Sequence, residues 1–292
     1  MIRVSLRSWV VLTLVSGAGL AMFTWPLFLH SPHGLAHGND APLVFIVLLP
    51  CLIAVVLAEM TAGRIDTKTL AMLGVLSAIG AVLRPIGAGT AGIETMLFLL
   101  ILAGRVYGPG FGFVLGATAM FTSALLTAGV GPWLPFQMLG ASWIGLGAGL
   151  LPLRNLRGRA EIALLAVYGV VSAYAFGILL NLWFWPFTAG SADKLSFVAG
   201  ASVVKNLHRF LLFSFASSSI GWDTGRAITN VVAIVAVGPT VLITLRRSAR
   251  RAAFGEVATF VDIETPAPEP EVVLPVTAAR SLGGPVRQAE RP

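Results

Sequence analysis

Polar side chains set inside or beside apolar runs are where chemistry would sit in a chain with 11% charged and 56% hydrophobic residues. An ionisable group held near hydrocarbon costs about 2.5–3.5 kcal/mol on insertion scales, so one that is kept there serves something. Arg84 and Glu94 fit that description, because they flank the connection Pro85-Ile-Gly-Ala-Gly-Thr-Ala-Gly92 between two apolar runs. A guanidinium and a carboxylate so placed can pair with each other or with polar groups of a bound solute. Trp133 and Gln137 belong to the stretch Gly129-Val-Gly-Pro-Trp-Leu-Pro-Phe-Gln-Met138, whose Gly/Pro turn presets the backbone. Asn181-Leu-Trp-Phe-Trp-Pro186 sets an amide and two indoles at the end of a further run. Asn206, Arg209, Trp222, Asp223, Arg226 and Asn230 add polar and aromatic groups beyond it.

Aromatic faces combined with amide and guanidinium donors can stack on a flat, heteroatom-rich solute and fix its orientation. The candidate pocket is therefore Arg84, Glu94, Trp133, Gln137, Asn181, Trp185, Asn206 and Arg226. An aromatic belt at the bilayer surface accounts for Trp25, Trp133, Trp183, Trp185 and Trp222 equally well, but not for the amides.

Other chemistries find less support. No G-x-x-x-x-G-K-[ST] loop occurs, so the chain cannot power ATP-driven transport by itself. Gly104-Arg-Val-Tyr-Gly-Pro-Gly-Phe-Gly112 looks like a nucleotide loop, yet Pro109 and the missing lysine make a tight turn the expectation. No clustered Asp or Glu is present to handle metal and phosphate, and no catalytic residue is assigned. His30, His33, His37 and Asp40 are permissive for a transition metal, but a hydrophilic loop is expected there, and His208 is expected to be structural. The single cysteine, Cys51, cannot form an intramolecular disulfide. The net charge of +7 is spread over short loops rather than one face, so no nucleic-acid partner is expected.

The elements that must position these residues are membrane spans. Mean hydropathy is +0.85, and 32 Gly with 17 Pro suit helices whose neighbours re-satisfy freed backbone groups. About 20 apolar residues cross the roughly 30 Å of hydrocarbon. On that scale an all-α bundle of eight helices is expected, at 9–29, 43–60, 70–83, 93–103, 111–128, 134–151, 162–184 and 227–245. The first is expected to be a retained helix rather than a cleaved leader. Arg3 and Arg7, Arg64 and Lys68, Arg105, Arg154, Arg157 and Arg159, then Arg246, Arg247, Arg250 and Arg251 fall on every second side. Positive charge stays inside, so both termini are expected to be cytoplasmic. The apolar stretch 210–220 would invert this pattern as a span and is expected at the outer surface or re-entrant. Residues 246–292, rich in Pro, Glu and Ala, are expected to form a disordered cytoplasmic tail.

Small residues four apart let helix backbones approach in lipid. They recur at Gly74 and Ala78, at Gly112 and Gly116, and at Gly145, Gly147 and Gly149. Each fits internal packing or an interface with a separate membrane subunit.

The run Ile101-Leu-Ala-Gly-Arg-Val-Tyr-Gly-Pro-Gly-Phe-Gly-Phe-Val-Leu-Gly116, with Ser123-Ala-Leu-Leu126 and Gly131-Pro-Trp-Leu-Pro-Phe-Gln137, resembles the S components of energy-coupling factor transporters, nearest to the cobalamin-type members. The resemblance covers about residues 70–245. It implies a six-helix core, 70–245, that binds a vitamin from outside and docks on a transmembrane T component carrying two ATPases. Residues 1–69 would then be a two-helix addition. In the family a small-xxx-small stretch on the first core helix meets the T component, and Gly74 and Ala78 occupy that place, with Gly for the usual first Ala. Nickel and cobalt members use a His beside the initiator Met, whereas this chain begins Met1-Ile2-Arg3.

The leading expectation is thus a solute-binding subunit in the inner membrane, with a vitamin as transported ligand, cobalamin first among riboflavin, thiamine, biotin and related precursors. No cofactor for catalysis is expected. An ion-gradient-driven transporter using Glu94 or Asp223, and an enzyme acting on lipid-linked substrates, are the alternatives.

Overall fold

The computed structural model describes residues 6–28, 67–87, 90–153, 155–187, 195–198 and 200–253. Every regular element among them is helical. Hydrocarbon demands this, since a helix satisfies its backbone N–H and C=O groups within one segment. Helix α1 spans Leu6–Phe28, and α2 spans Thr67–Leu83 with a 3-10 turn at Arg84–Ile86. Then come α3 at Leu97–Tyr107, α4 at Pro109–Leu126, α5 at Leu134–Leu150, and α6 at Arg159–Phe184 with a 3-10 turn at Trp185–Phe187. Helix α7 is Val203–Ser214, a π-helix follows at Phe215–Asp223, and α8 (Thr224–Ala236) and α9 (Gly238–Ala253) complete the order. The segments Lys68–Ile86, Pro109–Leu126 and Arg159–Phe184 are long and apolar enough to cross a membrane by themselves. The expected span 43–60, the histidine loop with Asp40, Cys51 and everything beyond Ala253 lie outside the described residues.

Helix α3 sits at the centre. Its 11 residues are all buried but Phe98, and at about 1.5 Å per residue it falls short of the hydrocarbon thickness. Protein surrounds it instead of lipid. Helices α4 and α5 approach backbone to backbone, where a Cβ on Gly112 or Gly145 would strike the other's backbone and one on Gly116 would strike Ala141. The small-residue faces of these two helices therefore meet each other. Helix α1, from the expected N-terminal addition, contributes Leu12 and Phe23 to the same apolar core. Phe23 meets Phe136 edge-on at 5.0 Å, and the Trp143 indole donates to Ser16 Oγ at 3.0 Å.

Three expectations change. The tight turn expected over 104–112 contracts to Gly108, at φ 105, because Pro109 suits the first position of α4 and the helix before it runs on to Tyr107. Arg105 is thus helical rather than in a loop. The expected span 227–245 is broken: its first part, with the stretch 210–220, belongs to a helix running Val203–Ala236, and the break follows Ala236. Helix α9 departs at 66°, where Gly238 and Pro239 interrupt the amide ladder. Finally, α9 carries helix through Ala253, so 246–253 is not part of a structureless tail.

Candidate functional site

Buried charge gathers at both ends of the bundle. At one end, which we call the Glu94 end, Pro85 stops α2 and Arg84 opens the 3-10 turn. Among the described residues that follow, the Thr90 N–H donates to the Gly87 carbonyl at 3.2 Å and the Ile93 N–H to the Thr90 carbonyl at 2.8 Å, and the Thr95 hydroxyl donates to the Leu83 carbonyl. Ala91 and Gly92 both take positive φ, 43° and 76°. That turn lays the loop directly on the start of α8, where a Cβ on Gly92 would strike the Trp222 carbonyl and one on Gly225 the Ala91 carbonyl.

Arg84 Nη2 donates to Gln137 Oε1 at 3.0 Å. Asp223 is fully buried and accepts from Ser218 Oγ at 3.2 Å, Ser219 Oγ at 3.1 Å and Arg226 Nη1 at 2.8 Å. The π-helix supplies this geometry, since its i→i+5 period sets Ser218 below Asp223. Gly177 makes room, because a Cβ there would overlap the Asp223 carboxylate. The Arg226 guanidinium lies 5.1 Å from the Phe176 ring centre. Glu94 feels the fields of both Arg84 and Arg226. Arg84 Nε, Glu94 Oε1 and Arg226 Nε are buried without a hydrogen-bond partner among the described residues. Each such group costs about 1–3 kcal/mol, which a polar solute reaching it would offset.

A family model described as ECF transporter, substrate-specific component, matches residues 68–221. This chain belongs to that family. No curated protein and no solved structure matches it. As an S component it is a multi-pass membrane subunit of a transporter rather than an enzyme, and it works with a T component and ATPases. The matched stretch opens with α2 and ends inside the π-helix, so it takes in Arg84, Glu94, Gln137, Ser218 and Ser219. Asp223 and Arg226 follow immediately.

Of the pocket residues expected in this S component, Arg84 bonds Gln137, and Glu94 lies within the fields of Arg84 and Arg226. The other four are engaged elsewhere. Asn181 Nδ2 donates to Ser214 Oγ at 2.9 Å. Trp185 is fully buried, donates to the Leu195 carbonyl at 2.7 Å and packs on Phe197 and Phe210. Asn206 clamps Val198 through both its amide nitrogen (2.8 Å) and its oxygen (3.2 Å). Together these three tie the connection after α6 to α7. Trp133 is exposed, its indole donating to the Gly129 carbonyl at 3.2 Å. Gly74 and Ala78 stand on an exposed face of α2, and a Cβ on Gly74 would meet nothing within 4 Å.

Sequence reasoning noted Asp223 without placing it in the pocket, and missed Ser218, Ser219, Phe176 and Gly177. The three-residue spacing of Asp223 and Arg226 was a usable signal for a helical ion pair. Phe176 and Gly177 read like any residues of a span.

At the opposite, Glu161 end, one buried carboxylate binds two arginines. Glu161 accepts from Arg105 Nε at 3.2 Å and from Arg246 Nη2 at 2.5 and 2.7 Å. Arg105 also donates to the carbonyls of Leu151 (3.1 Å), Pro152 (3.1 Å) and Leu153 (2.8 Å). In the sequence Arg105 stands as a marker of sidedness and as a member of the Gly-rich run 104–112, with no sign of this partner.

Proposed function

We propose that this S component captures a vitamin or cofactor precursor at the Glu94 end, facing outside, and releases it inward when two ATPases drive the attached T component. Cobalamin is the first candidate ligand, by resemblance to the cobalamin-type members. The observation that carries the reading is the set of buried polar atoms on Arg84, Glu94 and Arg226 that have no hydrogen-bond partner among the described residues. Two guanidiniums and two carboxylates balance there, which suits a solute rich in hydrogen-bonding groups and without large net charge. Sidedness follows from the basic residues: Arg105, Arg157, Arg246, Arg247 and Arg250 gather at the Glu161 end, which is therefore cytoplasmic. Both termini then face the cytoplasm of an inner membrane.

The exposed face of α2 around Gly74 and Ala78 is the proposed contact with the T component. Val75, Ile79 and Val82 on that helix are exposed and apolar, and the glycine leaves a backbone within reach of another helix.

The visible absorption spectrum of whatever copurifies with the chain identifies a cobalamin or a flavin at once. Coexpression with a T component and its ATPases should then give uptake of that vitamin. Failure of uptake with every candidate vitamin would remove the reading. Uptake by the isolated chain that collapses with a protonophore would replace it with an ion-driven transporter.

A further inference from the structure

A cavity of about 300 Å³ opens at the Glu161 end. Arg105, Arg157, Arg246 and Arg250 line it around the single carboxylate of Glu161. Its floor is rigid: the Arg105 side chain is 4% exposed and held by Glu161 and three backbone carbonyls, and Arg246 grips both Glu161 oxygens. Two cations share one anion, so the floor keeps a positive charge after its hydrogen bonds are made. Arg157 and Arg250 add two more charges at an exposed rim. Retention of basic residues on the inner side explains arginines dispersed in water beside spans. It does not explain four guanidiniums drawn around one cavity with a single carboxylate lining it, an excess of positive charge that a bound anion would offset.

We infer that this cavity binds the phosphate of an anionic membrane lipid. Guanidinium forks match phosphate oxygens, and basic pockets between helix ends on the cytoplasmic side are where anionic headgroups bind. Helix α9 places the site at headgroup depth. It leaves α8 at 66°, buries Leu242 and Leu245 against the bundle end, and turns Ile243 outward. Val106 and Ala249 give the cavity apolar wall beside its charges, as a glycerol backbone requires. The inference rests on the membrane placement and sidedness proposed above, but not on the identity of the vitamin.

Full-length protein, delipidated in detergent, would be titrated with phosphatidylglycerol or phosphatidylcholine, with bound lipid counted by native mass spectrometry and melting temperature followed in parallel. Wild type should bind phosphatidylglycerol roughly tenfold or more tighter than phosphatidylcholine, with a preference that weakens as salt rises. Arg157→Ala with Arg250→Ala, which spares the floor, should abolish the preference, and the corresponding double Lys variant should restore part of it. Equal binding of the two lipids, or a preference untouched in the double Ala variant, overturns the proposal. Inorganic phosphate that stabilises the lipid-free protein as much as phosphatidylglycerol does would assign the cavity to a soluble anion and overturn the lipid source. Because the assay uses the isolated chain without vitamin or ATPases, its failure leaves the uptake reading to its own experiment.

Discussion

The two ends of the bundle use the same side chains to opposite effect. At the Glu161 end a carboxylate and two arginines saturate one another, and Arg105 spends its remaining donors on backbone carbonyls. At the Glu94 end the Arg226–Asp223 pair is likewise made at 2.8 Å, yet Arg84 Nε, Glu94 Oε1 and Arg226 Nε have no hydrogen-bond partner among the described residues. A buried charge whose bonds are complete holds a fold together, and one with bonds left over is ready for a guest. The contrast separates a structural lock, which leaves only surplus positive charge for a headgroup at its rim, from the proposed vitamin site built of the same residue types.

The largest effect should come from opening the lock. Glu161→Ala strands Arg105 and Arg246 and is expected to lower stability by about 3–5 kcal/mol, measured as thermal unfolding in detergent. Glu94→Gln or Arg84→Ala should leave the melting temperature close to wild type while weakening vitamin binding roughly ten- to hundred-fold by calorimetry. If Glu94→Gln unfolded the protein as readily as Glu161→Ala, the two ends would not differ as described.

A parallel contrast separates the glycines. Gly145→Leu should cost about 1–3 kcal/mol or more, because Gly112 backbone fills the space it would enter. Gly74→Leu meets nothing inside this chain and should melt like wild type, yet fail to copurify with the T component. Loss of stability at Gly74, or intact copurification, would undo that distinction. The smallest effect is expected at Trp133→Ala: the exposed indole bonds only its local turn, so unfolding should shift by under about 0.5 kcal/mol.

Much of the fold was legible along the chain, because apolar runs are local features of composition, although the Gly238-Pro239 break inside the expected span 227–245 showed only in the structure. What was not legible was which polar residue answers which. Arg84 and Gln137 lie 53 positions apart, and Arg246 and Glu161 lie 85 apart. Arg105 looked like a loop charge marking sidedness, whereas burial turned it into the anchor of three carbonyls. Asn181, Trp185 and Asn206 looked like pocket residues by type, and the packing of α7 gave them local partners instead.

The sequence by itself determined the solvent, the helical class and the residues able to carry charge into the bilayer, since transfer free energies add up residue by residue along a chain. Only the tertiary structure decided which of those charges are satisfied. Satisfaction is a property of neighbours brought together by helix packing, so Glu94 and Glu161, alike in one dimension, became a proposed site and a lock in three.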